Sequence, residues 1–153
     1  MAYKGMFRPQ NPEKYNGDAS NIVYRSLWEA KFFRYLDRRP EVIWWSSEEL
    51  AIPYVSPKDN RVHRYFPDVI VRLRDPKTKK TRTIMIEIKP KAQTMPPDPS
   101  KKNATKTGRT SRRYLREAAT YAINEAKWKA AREFCADKGW DFEIFTEKEL
   151  GVR

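Results

Sequence analysis

The order of periodicities along the chain predicts an α/β fold, and three observations carry that prediction. Residues 66–73 and 82–89 alternate with period 2 and are rich in Val and Ile, the pattern of two β-strands joined by a turn. Residues 27–39 and 111–138 instead repeat their apolar side chains at helical spacing. A last period-2 stretch, 140–145, follows the second helical region, so helices and strands intermix along the sequence. The 153 residues fit one domain, 1–153, and suffice for a core without disulfides or structural metal.

Taken in order, residues 1–21 contain Gly and Pro without sustained periodicity. They read as an irregular arm with Tyr3, Phe7 and Tyr15 available for packing. Ser26 stands as N-cap of the first helix, 27–39, which stops before Pro40. Glu29, Phe32, Phe33 and Leu36 share one face of it, which turns Glu29 inward. A carboxylate there needs either Arg25, one turn earlier, or a cation. Residues 42–45 form a short strand, 46–49 a polar turn, and 51–55 a strand that Pro53 makes an edge or irregular one. After a turn at 57–60, residues 61–65 lead into the strand bearing Asp68, where Pro67 removes an N–H from the ladder. Asp75-Pro76 marks the next turn, whose basic side chains are either solvated or DNA-facing. Residues 90–110 form a long Pro-rich basic loop. Two helices follow. The first, 111–123, turns Leu115, Ala118, Ala119 and Ala122 inward. The second, 125–138, is capped by Asn124, packs Trp128, Ala131, Phe134 and Cys135, and ends at Gly139. Thr146 and Glu149 make a capping box for a short C-terminal helix.

Charge narrows the partners. Lys and Arg number 32 against 20 Asp and Glu, a net +12, which points to a polyanion, with nucleic acid first. The chain has no long apolar run, signal segment or lipidation motif, so no membrane is expected. No phosphate-cradling glycine loop is present, so no nucleotide cofactor is expected. A single cysteine, Cys135, excludes an internal disulfide and a Cys-based zinc cluster, and the lone His63 excludes a His-rich metal site. Any metal must be held mainly by carboxylates, which suits Mg²⁺ or Mn²⁺ better than Zn²⁺.

Those carboxylates are found on the central strands. Alternation puts Asp68 with Ile70 on one face of the first strand, and Met85, Glu87 and Lys89 on one face of the second. If the strands pair as a hairpin, Asp68, Glu87 and Lys89 converge on one side and the aliphatic residues pack on the other. Two adjacent carboxylates repel, so one takes up a proton unless a cation compensates. A hard divalent cation resolves the repulsion and creates a reaction site, with Lys89 able to hold a water or stabilise charge on a phosphate. Solvated strand faces are the alternative. Arg64, Lys91, Lys101, Lys102, Arg112, Arg113 and Lys127 are the candidate DNA-binding cations, with plain solvation as their alternative.

Pro67-Asp68 followed by Glu87-Ile88-Lys89 resembles the PD-(D/E)xK nuclease superfamily. More widely, Tyr24-Arg25-Ser26-x-Trp28-Glu29, Arg64-Tyr65-Phe66-Pro67-Asp68, Ile86 to Lys91, Asn124-x-x-Lys127-Trp128-Lys129-Ala130-Ala131 and Phe142-x-Ile144-x-Thr146-Glu147 resemble the head-completion nucleases of tailed myophages. That family is similar to the N-terminal domain of the TnsA-type transposition endonuclease. The resemblance covers nearly the whole chain; the loop around 94–110 departs from it. It implies a restriction-endonuclease-like core, a mixed sheet flanked by helices. It also implies Mg²⁺, with Mn²⁺ as substitute, held by Glu29, Asp68, Glu87 and the Ile88 carbonyl, with Lys89 as catalytic lysine. The reaction implied is hydrolysis of a DNA phosphodiester by a metal-activated water with inversion at phosphorus. The setting implied is double-stranded DNA and phage head or neck proteins, in host cytoplasm during assembly or on the virion. A non-catalytic DNA-binding neck component, and a transposition or junction-resolving nuclease, are the competing readings.

Overall fold

The computed structural model describes residues 4–150. Its elements are β1 (Gly5–Phe7), β2 (Ile22–Tyr24), α1 (Leu27–Arg38), β3 (Val42–Ser46), β4 (Ile52–Val55), β5 (Val62–Tyr65), β6 (Val69–Arg74), β7 (Thr81–Ile88), α2 (Arg112–Lys138) and β8 (Asp141–Phe145). Four of the strands form a mixed sheet in the order β3-β6-β7-β8. The β3–β6 and β6–β7 pairs are antiparallel and β7–β8 is parallel. The parallel pair follows from the path between its strands, since the long α2 returns the chain to the end from which β7 began.

The two faces of this sheet take different cover. Val69, Val71, Ile84 and Ile86 pack beneath α1 with Phe32, Phe33, Leu36 and Trp45. Ile70 and Met85 pack on the other side with Ala131 and Cys135 of α2 and with Ile52, Tyr54 and Tyr65 of the β4–β5 hairpin. Both faces are therefore aliphatic, which corrects the expectation of one acidic and one apolar face. Helices cover the sheet on both sides, so the central strands have no solvated face.

Local signals explain α1. Ser26 caps it by accepting the Glu29 N–H at 3.2 Å, and the helix ends two residues before Pro40. The residues before α1 are less irregular than the sequence suggested. β1 pairs with β2, and Asp37 of α1, 1% exposed, accepts the N–H groups of Gln10 (2.8 Å) and Asn11 (3.0 Å). Phe7 and Tyr15 pack edge-on against Trp45 as expected; Tyr3 lies outside the described residues.

Where two helices were expected beyond residue 110, one continuous helix forms. Ser111 caps α2 by accepting the Tyr114 N–H at 3.3 Å, and Gly139, at φ 73°, ends it in the left-handed region that favours glycine. Asn124 is not a cap. It is buried in mid-helix, in register with Tyr114, Ala118, Tyr121, Trp128, Ala131 and Cys135, the spacing of the inward face. The stripe expected through Leu115, Ala119 and Ala122 points outward, with Leu115 53% exposed. After β8, Thr146 and Glu149 do form their capping contacts, 3.1 Å and 2.6 Å, but they close a turn and not a helix. No helix among the described residues is long and apolar enough to cross a membrane.

Candidate active site

Asp68 and Glu87 meet because of the β6–β7 register. Val69 lies opposite Ile86, so the preceding residue of one strand faces the following residue of the other. The Pro67 carbonyl accepts the Glu48 N–H at 3.3 Å, and it is the Asp68 carboxylate that accepts from the facing strand: its Oδ2 takes the Ile88 N–H at 2.7 Å. Glu87 is 5% exposed and accepts a hydrogen bond from the Tyr65 hydroxyl. Each carboxylate thus has one oxygen fixed by a protein donor.

The electrostatics are those of two acids without a counter-ion. Burial pushes the Asp68 carboxyl well above the usual carboxylate range, and the facing Glu87 carboxylate and its hydrogen bond push it further; the Ile88 N–H opposes this. Burial and the neighbouring acid thus both favour the protonated form of Asp68. The same surroundings push the Tyr65 phenol up, so it stays a donor.

Glu29 is half-buried in the first turn of α1, where burial raises its pKa and the Arg25 backbone lowers it. Its field reaches Asp68. It does not join the pair: among the described residues, no three His, Cys, Asp or Glu side chains are placed to hold one ion. The reason is topological, since α1 covers the sheet face opposite the one that bears Glu87. Nor does Glu29 pair with Arg25. Arg25 instead grips Glu48 through two bonds, of 3.1 Å and 3.2 Å.

Lys89 follows β7 at the same sheet end, half-buried, with its N–H bonded to the Phe145 carbonyl at 3.0 Å. Its ammonium forms no ion pair among the described residues. Ile88 meets Asp68 through its N–H. Lys127 is brought near, with its ammonium 5.9 Å from the ring centres of both Tyr54 and Tyr65. Arg64 is exposed and lies 5.7 Å from the Phe66 ring centre. The remaining basic candidates lie on the loop and the start of α2. Lys91, Lys101, Lys102 and Arg112 are exposed, and Arg113 pairs with Glu117 at 2.8 Å. Residues 91–98 of that loop lie along the first half of α2, leaving a groove of about 470 Å³ lined by Gln93, Met95, Arg116 and Tyr121.

Sequence reasoning missed Tyr65 and Glu48. Tyr65 sits three residues before Asp68, but its partner Glu87 is 22 residues away, so only the fold reveals the contact. Glu48 was read as part of a polar turn. Its N–H bonds the Pro67 carbonyl at 3.3 Å, which places it beside the Asp68 backbone.

The donor set fits a divalent cation. It consists of oxygens alone, on two facing acids where burial and the neighbouring carboxylate disfavour the negative charge of Asp68. A mixed sheet between helices with an acid pair where two strands meet is a restriction-endonuclease-like arrangement. The comparisons agree with it. The family model for the TnsA-like endonuclease N-terminal domain matches residues 39–147, which include Asp68, Glu87 and Lys89. The head completion nuclease of Enterobacteria phage T4 is 41% identical over 150 residues, 98% of this chain and 95% of the phage protein. With the family model matched over residues 39–147, the chain belongs to the TnsA-like endonuclease family, and its activity is that of a nuclease.

Proposed function

We propose that this chain is a Mg²⁺-dependent DNA endonuclease of phage head completion, cutting or trimming packaged double-stranded DNA so that filled heads can join tails. The observation that carries this is the Asp68–Glu87 pair, two carboxylates brought face to face by the β6–β7 register, Glu87 buried and Asp68 half-buried, two residues from Lys89 in sequence. The likeness to a head completion nuclease supports the biological setting, with head or neck proteins as partners and host cytoplasm as the place of action.

Asp68 and Glu87 would hold the cation through their carboxylate oxygens, with the Ile88 carbonyl adjacent and Glu29 acting from the edge. When bound, the cation supplies positive charge against the phosphate and lowers the pKa of a water. The chain supplies the rest. The Ile88 N–H and the Tyr65 hydroxyl fix the two carboxylates in place before substrate arrives. Lys89 orients the attacking water or meets the charge that develops on phosphate. The net charge of +12 draws the DNA in. Arg64, Lys91, Lys101, Lys102, Arg112, Arg113 and Lys127 offer contacts to its backbone. A second reading, a DNA-binding neck component without catalysis, is favoured by one observation only: among the described residues no three acids are placed to hold one ion.

Cleavage of linear and circular duplex DNA separates the two readings, run with Mg²⁺, with Mn²⁺ and with chelator, for the wild type and Lys89→Ala. Metal-dependent cutting of both forms by the wild type, lost in the variant, is the expected result. Salt-sensitive DNA binding with no cleavage under any condition contradicts the enzyme.

A further inference from the structure

We infer that Arg25 is a phosphate-binding side chain of this site, and that Glu48 occupies it in the free protein as a stand-in for the DNA phosphate. The inference rests on the nuclease reading above and adds to it a substrate contact and the element that masks it.

Four observations converge. First, the Arg25–Glu48 bond is bidentate, Nε to Oε1 at 3.1 Å and Nη2 to Oε2 at 3.2 Å. A guanidinium presents the same fork to two oxygens of a phosphodiester, so a carboxylate and a phosphate compete for one geometry. Second, both residues are anchored at the active site by the backbone. Arg25 directly precedes Ser26, the N-cap of the helix that bears Glu29, and the Glu48 N–H bonds the carbonyl of Pro67, the residue before Asp68. The positive charge of Arg25 accordingly acts on both Glu29 and Asp68. Third, the pair is open to solvent, with Arg25 53% and Glu48 25% exposed, so an incoming phosphate can reach the guanidinium without unfolding anything. An exposed ion pair of this kind adds little to stability, which leaves its precise geometry without a purely structural account. Fourth, Glu48 holds φ at 55°, a left-handed conformation uncommon for a residue other than Gly, Asn or Asp. Such strain gathers where a side chain must be held in one position.

The chemistry then runs as an exchange. In the free protein Glu48 neutralises Arg25 and keeps the guanidinium extended toward the site. DNA brings a phosphate that takes the fork, and Glu48 turns to solvent at the edge of the acid cluster.

The test is binding of a short labelled DNA duplex, measured by fluorescence anisotropy in chelator so that nothing is cut, across a series of salt concentrations. Arg25→Ala is expected to weaken binding about tenfold and to reduce the salt slope by about one, as loss of one phosphate contact does. Arg25→Lys keeps most of the slope while losing affinity, because an ammonium lacks the fork. Glu48→Gln tightens binding by about threefold, and this gain vanishes when Arg25→Ala is also present. Melting curves confirm that each variant is folded. An unchanged salt slope in Arg25→Ala overturns the inference. So does an equal gain from Glu48→Gln with and without Arg25, which would mark a diffuse field effect. Both of those results leave wild-type cleavage intact, whereas a wild type that neither binds nor cuts DNA overturns the nuclease reading itself.

Discussion

The two faces of the four-stranded sheet are both buried, yet they are buried to different ends. Under α1, Val69, Val71, Ile84 and Ile86 meet Phe33, Leu36 and Trp45, with Phe33 and Trp45 fully enclosed and Phe7 and Tyr15 packed edge-on against Trp45. Under α2, Ile70 and Met85 meet the small side chains of Ala131 and Cys135, and the row of apolar residues ends in Glu87. The first face is a closed aromatic core. The second admits a carboxylate because Tyr65 and Asp68 satisfy it. Stability and chemistry are thus divided between the two sides of the same strands, and substitutions on each should separate them.

The largest effects are expected at the acids. Asp68→Ala and Glu87→Ala each lower cleavage by on the order of 10²–10³-fold or more, while thermal unfolding stays close to that of the wild type. Next is Phe33→Ala, on the other face. It costs about 3–5 kcal/mol in denaturant unfolding, and it reduces cleavage only as far as it reduces the folded population. A large loss of activity in a Phe33 variant that remains folded would erase the division between the faces.

Tyr65→Phe sharpens the comparison, because it removes one hydroxyl from the chemical face and nothing from its packing. Loss of the bond to Glu87 is expected to lower kcat about tenfold, with a stability cost of about 1 kcal/mol and little change in DNA affinity. The aromatic face has its own titration. Burial pushes the Tyr15 phenol up to about 12 from its ordinary 10.0. The unfolded chain loses that proton first, so stability present below about pH 10 declines as pH rises toward 12. Unfolding curves across that window should show the decline in the wild type, and Tyr15→Phe should lack this contribution. The smallest effects belong to the loop. Lys101→Ala and Lys102→Ala should each lower the salt slope of DNA binding by about one or less, with cleavage near wild type at low salt.

The parts legible in the sequence were those that local pattern decides. Period-2 alternation across 66–73 and 82–89 was enough to bring Asp68 and Glu87 to one point, because a hairpin leaves little freedom of register. Ser26 and Gly139 marked helix ends through chemistry that acts within a turn or two of the chain. The joining of two expected helices into α2 was not legible. Asn124 has the side chain of a cap, but it is buried within the continuous helix, one turn from Tyr121 and from Trp128, whose rings meet edge-on. The aliphatic character of the Glu87 face was likewise hidden, since it depends on α2 and the β4–β5 hairpin folding over Ile70 and Met85. Glu29 was correctly turned inward by helical spacing, but spacing alone does not say which sheet face the helix will cover. Tyr65 and Glu48 reach the site through contacts far along the chain, beyond the range of any periodicity.

The central claim is that the Asp68–Glu87 pair is short of one positive charge, which a divalent cation supplies. Calorimetric titration of Mg²⁺ or Mn²⁺ into the wild type and Asp68→Asn, repeated in buffers of different ionisation enthalpy, tests it directly. Binding by the wild type should release a proton from Asp68, and Asp68→Asn should bind far more weakly and release none. Equal binding by both proteins, or binding by the wild type without proton release, would contradict the account.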